Sequence, residues 1–97
     1  MNLNKVSLLG NLVRDPALRV LPSGQKVASF SVATNHTWKD IKTKEKRENV
    51  EYHNVIAWGK LSEIISRYLK KGDKVYLEGR LQTRNWTDKE GNKRNRT

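Results

Sequence analysis

The chain contains no cysteine. This excludes a disulfide framework, a thiolate metal site and a cysteine nucleophile, and it suits a reducing, intracellular setting. It also has no run of about 18 apolar residues and no charged-then-apolar start of the signal-peptide kind. The expected location is therefore the cytoplasm. Apolar residues make up only 35% of 97 residues, enough for one thin core and too little for a second domain or a deep cofactor cavity. No cofactor is expected. Its two histidines, His36 and His53, lack a carboxylate or serine at a useful spacing, and they are too far apart in sequence to suggest a metal site. No glycine loop suited to phosphate is present either, so catalysis has no visible carrier. His53 reads as a residue satisfied in a core or at a subunit interface, and His36 is unassigned.

Cation is present in excess. Twenty Lys and Arg against ten Asp and Glu give a formal charge of +10, which makes a polyanion the natural partner. The basic residues are scattered over loops and strands, which disfavours a membrane surface. Charge of this kind also serves plain solubility, so the partner has to be argued from what accompanies it.

Taken in order, Lys5 to Asp15 is a Val- and Leu-rich first strand, expected to bend at Gly10 and broken by Asp15-Pro16. Leu21-Pro22-Ser23-Gly24-Gln25 has the spacing of a tight turn, with Pro22 presetting φ and Gly24 free to take positive φ. Lys26 to Trp38 alternates Ala28, Phe30 and Val32 against Ser29 and Ser31, a half-buried strand. Lys39 to Asn49 is almost wholly polar and reads either as a solvated loop or as a basic arm that folds onto a bound backbone.

Glu51 to Lys60 is an extended segment carrying Tyr52 and Trp58, which share a face because an even number of residues separates them. Leu61, Ile64, Ile65, Tyr68 and Leu69 then fall on one helical stripe, predicted to face the core, with Gly72 placed to end the helix. Lys74 to Trp86 is predicted as one long strand. Val75, Leu77, Leu81 and Thr83 form its core face, and Tyr76, Arg80, Arg84 and Trp86 point outward. A turn around Gly91 leads into a strand begun at Lys93.

The whole is one domain over 1–97, all-β, with the strand order of a five-stranded Greek-key OB-fold barrel. Its one helix lies between the third and fourth strands, and its last strand is cut short. Trp38, Tyr52, Trp58 and Trp86 lie on or at the ends of strands, interleaved with Lys and Arg. Nucleobases stack on such rings whatever their sequence, while cations hold the phosphates. By alternation Trp38 has the parity of buried Phe30, whereas Trp86 shares its face with arginines.

Several short motifs bring a family into view: Asn4-Lys5-Val6 leading to Gly10-Asn11-Leu12, then Asp15-Pro16, Gly24, Trp38 and Glu51-Tyr52-His53. Gly59-Lys60-Leu61, Tyr68-Leu69, Lys71-Gly72, Glu78-Gly79 and Arg84-Asn85-Trp86-Thr87-Asp88 complete the set. Over essentially its whole length the chain resembles bacterial single-stranded DNA-binding proteins. The resemblance implies a homotetramer that wraps single-stranded DNA and protects it during replication, recombination and repair. Bases would stack at Trp38, Tyr52, Trp58 and Trp86, with Lys60, Lys71, Arg80 and Arg84 at the phosphates and His53 at a subunit interface.

The family often has Trp at the position of Tyr52 and commonly Phe at that of Trp58; both changes keep a stacking ring. Family members continue past the position of Thr97 through a final strand, a polar linker and an acidic tip that recruits replication and repair enzymes. Without these, the expectation is an open sheet edge, weaker oligomerisation and no recruitment. Two other binding readings compete: a primosome-type OB protein that contacts a helicase, and an RNA-binding OB domain.

Overall fold

A computed structural model describes residues 1–96, except that the side chains of Arg84, Trp86, Arg94, Asn95 and Arg96, like all of Thr97, lie outside the described residues. The elements are β1 (Val6–Leu12), β2 (Ala17–Val20), β3 (Lys26–Lys39), β4 (Lys46–Trp58), α1 (Lys60–Tyr68), β5 (Lys74–Gly79), β6 (Arg84–Thr87) and β7 (Lys93–Arg96). β1 to β5 form one antiparallel five-stranded sheet, and β6 pairs with β7 in a separate two-stranded one.

β1 and β2 are a single strand broken at Asp15-Pro16. Both lie along β3, with Leu12 opposite Val32 and Ala17 opposite Ser29, and the Val13 amide donates to the Ser31 carbonyl between them. Counted so, the helix follows the third strand, as the OB-fold requires. The turn into β3 is the expected one: Gly24 has φ of 88° and donates its amide to the Leu21 carbonyl.

One face of the sheet is the core. Leu12, Phe30 and Val32 are buried there, with Val55, Ile65, Leu69, Val75 and Leu77 packed against them. Gly10 is buried, and its role is close approach between strands: a Cβ would collide with the Ala33 carbonyl oxygen and lie 2.8 Å from Val32 Cγ1. β1 continues through this residue in register with β5, Gly10 opposite Val75, and from Asn11 it pairs with β3 as well.

Further expectations are corrected. The apolar stripe of α1 is not wholly its buried face: Leu61, Ile64 and Tyr68 are exposed, whereas Ser62 is fully buried beside Ile65 and Leu69. The reason is close packing, because the helix lies against β3 near Gly59 and only a small residue fits; the Ser62 hydroxyl donates to the Gly59 carbonyl. Lys26 of β3 ties the helix down by an ion pair with Glu63, and this hydrogen bond holds the Glu63 carboxyl below its ordinary range. The helix ends at Leu69, which is extended, so Gly72, at φ of 91°, turns the following loop instead of capping the helix. That loop is fastened to the β1–β2 break, the Lys71 amide donating to Asp15 Oδ1 and the Gly72 amide to the Leu12 carbonyl.

The predicted strand 74–86 is two strands. β5 ends at Gly79 because β1, its partner, begins at Val6 opposite it. Beyond that point the Asn4 side chain stands in for a strand: its Nδ2 donates to the Leu81 carbonyl at 2.8 Å, and its Oδ1 accepts from the Leu81 amide at 2.9 Å. Leu81, expected in the core, is exposed. The charge run 39–49 is mostly strand. Lys39 pairs with Lys46, and only Asp40 to Glu45 turns, its geometry set by Asp40 Oδ1 accepting the Lys42 amide and by Lys44 at φ of 59°.

Candidate nucleic-acid interface

β3 and β4 pair over thirteen positions, from Val27 opposite Trp58 to Lys39 opposite Lys46, and so extend as a ribbon beyond the core. The register sorts their side chains onto two faces. Ala28, Phe30, Val32, Thr34, His36 and Trp38 share one face with Ala57, Val55, His53, Glu51, Asn49 and Arg47; the other carries Val50, Tyr52, Asn54, Ile56 and Trp58.

On that second face Tyr52 is 66% exposed and Trp58 45% exposed, and Val50 and Ile56 between and beside them are also exposed. Their partners across β3 are small, Ala33 opposite Tyr52 and Ser29 opposite Ile56, so the large side chains stand above a low floor. Along an extended strand six residues span about 20 Å, so the two rings receive bases several nucleotides apart. Lys60, exposed, follows Trp58 by two residues at the start of α1. Three of the eight predicted DNA-binding residues, Tyr52, Trp58 and Lys60, thus follow one another along β4 and into the start of α1.

Trp38 is on the opposite face, with the parity of Phe30 as alternation requires. It is nevertheless 45% exposed, because the ribbon has left the core by that point. Thr37, Lys39, Lys44 and Lys46 surround it in an open concavity. Sequence reasoning did not single out these three lysines as site residues. The signal was the charge run itself, since pairing Lys39 with Lys46 folds the run back on Trp38. Arg47, opposite Trp38, is engaged by Asp40 Oδ2 at 3.8 Å and Glu45 Oε2 at 3.5 Å.

The remaining predicted cations are dispersed. Arg80 is exposed just beyond β5, and Lys71 is exposed in the loop between α1 and β5, its amide on Asp15. Arg84 and Trp86 lie on β6 opposite Arg96 and Arg94 in backbone register, with side chains outside the described residues. His53 is half-buried at the root of the ribbon, its Nε2 2.9 Å from Thr34 Oγ1. Among the described residues no group of three His, Asp or Glu could hold a metal ion. No helix of the described residues is long and apolar enough to cross a membrane.

On the outward side of the other half of the sheet, Leu9 and Tyr76 lie directly opposite each other, each 63% exposed. Tyr76 Oη donates to Glu78 Oε1 at 2.6 Å, and Glu78 in turn meets Lys5 Nζ at 3.5 Å.

Residues 3–97 match the single-strand binding protein family. Over 93 residues the chain is 52% identical to single-stranded DNA-binding protein 1 of Xylella fastidiosa (strain 9a5c), covering 96% of this chain and 68% of that protein. Among solved structures it is similar to a Plasmodium falciparum SSB in complex with ssDNA, with a TM-score of 0.85 and 34% identity, covering 98% of this chain and 84% of the other.

Proposed function

This chain belongs to the single-strand binding protein family, and from that premise we propose that it binds single-stranded DNA by stacking bases on the rings of the β3–β4 ribbon. It acts by binding, without catalysis. The observation that carries this reading is the exposure of Tyr52 and Trp58 on the face of β4 turned away from the core. Burial does not account for two large rings there. Each stacked base contributes about 1–3 kcal/mol without regard to sequence. Lys39, Lys44, Lys46 and Lys60 supply phosphate contacts that weaken with salt.

Trp38 takes part from the other face of the ribbon. A strand that visits all three rings must therefore pass around the ribbon, which keeps its bases covered from several sides. Trp86, Arg80, Arg84 and Lys71 extend the path in this proposal, beyond the segment where the rings are seen together. Protection of transient single strands in the cytoplasm during replication, recombination and repair follows from such coverage.

Self-association belongs to the same proposal. Leu9 and Tyr76 form an exposed apolar pair flanked by charge, a surface that a second copy of the chain would cover. His53, oriented by Thr34, contributes to a subunit contact, and the assembly proposed is a homotetramer.

The test is competition for a labelled oligo(dT) bound to the protein, followed by fluorescence anisotropy. Unlabelled oligo(dT) should displace it at far lower concentration than a duplex of equal length. Displacement by duplex at equal concentration would reject stacking, and preferential displacement by oligo(U) would make RNA the ligand.

A further inference from the structure

His36 stands on the same face of β3 as Trp38, and the two rings are stacked, with centroids 5.5 Å apart and planes inclined by 24°. Both are exposed. Apart from this stack, His36 has no hydrogen-bond or ion-pair partner among the described residues. Rings this close leave no space for a base between them, so a base can take only an outer face of the pair.

We infer that His36 is a DNA-binding residue, forming with Trp38 a two-ring step whose imidazole, once protonated, adds a phosphate contact. This rests on the DNA-binding reading above and specifies how one of its rings works. The arginine nearest by register, Arg47 opposite Trp38, is already held by Asp40 and Glu45. Beyond the lysines that line the concavity at Trp38, a cation within the ring pair itself can come only from His36, whose imidazole can gain a proton.

Charged and polar groups face His36 from both strands. Across β4 on its own face are Asn49 directly opposite, Arg47 on one diagonal and Glu51 on the other; on the far face are Glu48, opposite Thr37, and the pair Lys39 and Lys46 further along. Glu51 and Glu48 favour the charged ring, and Arg47 and Lys39 oppose it. A phosphate brought alongside by a base on Trp38 favours the charged imidazole, so proton uptake and DNA binding reinforce one another.

The experiment measures oligo(dT) affinity over a salt series at about pH 5.5 and about pH 8. It compares the unmodified chain with His36→Gln and His36→Lys. Histidine exposure on the ribbon makes either variant compatible with the fold, which circular dichroism checks. One added phosphate contact to a single strand steepens the log–log salt dependence by about 0.7, or about fivefold in affinity near 0.1 M salt. The unmodified chain should show this increment on acidification, His36→Gln should lack it, and His36→Lys should keep it at both pH values. His53 is present in all three proteins, so its contribution cancels in the comparison. Equal acid increments in the unmodified chain and His36→Gln would overturn the inference while leaving DNA binding intact. No binding of oligo(dT) at either pH would overturn the DNA-binding reading, and this inference with it.

Discussion

Gly10 lacks a side chain because β1 approaches β3 too closely to admit one. Gly10→Ala would drive a methyl group into the Ala33 carbonyl and Val32, and it should destabilise the fold by about 1–3 kcal/mol in urea unfolding. Unchanged stability would mean that the strands separate easily. Tyr52 and Trp58 are the opposite case, large side chains with no packing task on their face of β4. Tyr52→Ala and Trp58→Ala should each weaken oligo(dT) binding by about 1–3 kcal/mol at nearly unchanged melting temperature. A variant that loses stability and keeps affinity would place its ring in a structural role. At this scale the sequence was legible where parity decides the outcome: the common face of Tyr52 and Trp58, and the parity of Trp38 with Phe30, follow from a period of two. Exposure of Trp38 was not legible, since it depends on where the ribbon leaves the core.

Elements were harder to read than residues wherever a partner strand starts or stops. The alternation from Lys74 to Trp86 is unbroken in sequence, yet the ladder ends at Gly79 because β1 begins opposite it. The chain beyond Gly79 is held at Leu81 by the Asn4 carboxamide, a side chain with the donor and acceptor of a peptide group. Asn4→Ala should cost about 1 kcal/mol and speed hydrogen exchange at the Leu81 amide, with little change in β3. Exchange at Leu81 that stays slow would show another partner for it. The helix behaves in the same way. Its stripe of Leu61, Ile64, Ile65, Tyr68 and Leu69 was readable, but the buried face is turned toward Ser62, because the distance between helix and β3 is set by the sheet.

For the whole molecule, composition pointed to the class of partner: a net charge of +10 on a chain with a thin core favours a polyanion. The OB-fold order was legible because turns at Asp15-Pro16 and Gly24 and the helix after Gly59 punctuate the strands clearly. The proposed assembly was suggested in the sequence only by resemblance, since the exposed Leu9 opposite the exposed Tyr76 emerges from the register of β1 and β5. Leu9→Glu should shift the chain toward monomer in sedimentation velocity, with Tyr52 and Trp58 left in place on their own strand. Sedimentation unaltered by this change would put the subunit contact elsewhere.

The most direct test of ring stacking on the β3–β4 ribbon is intrinsic tryptophan fluorescence during titration with oligo(dT) and with duplex over a range of salt, in the unmodified chain and in Trp58→Ala. Stacking predicts strong quenching by the single strand and little by the duplex, weakened but not abolished by salt, and reduced in the variant. Equal quenching by both nucleic acids, vanishing at modest salt, would show that positive charge alone attracts the ligand and would contradict the account.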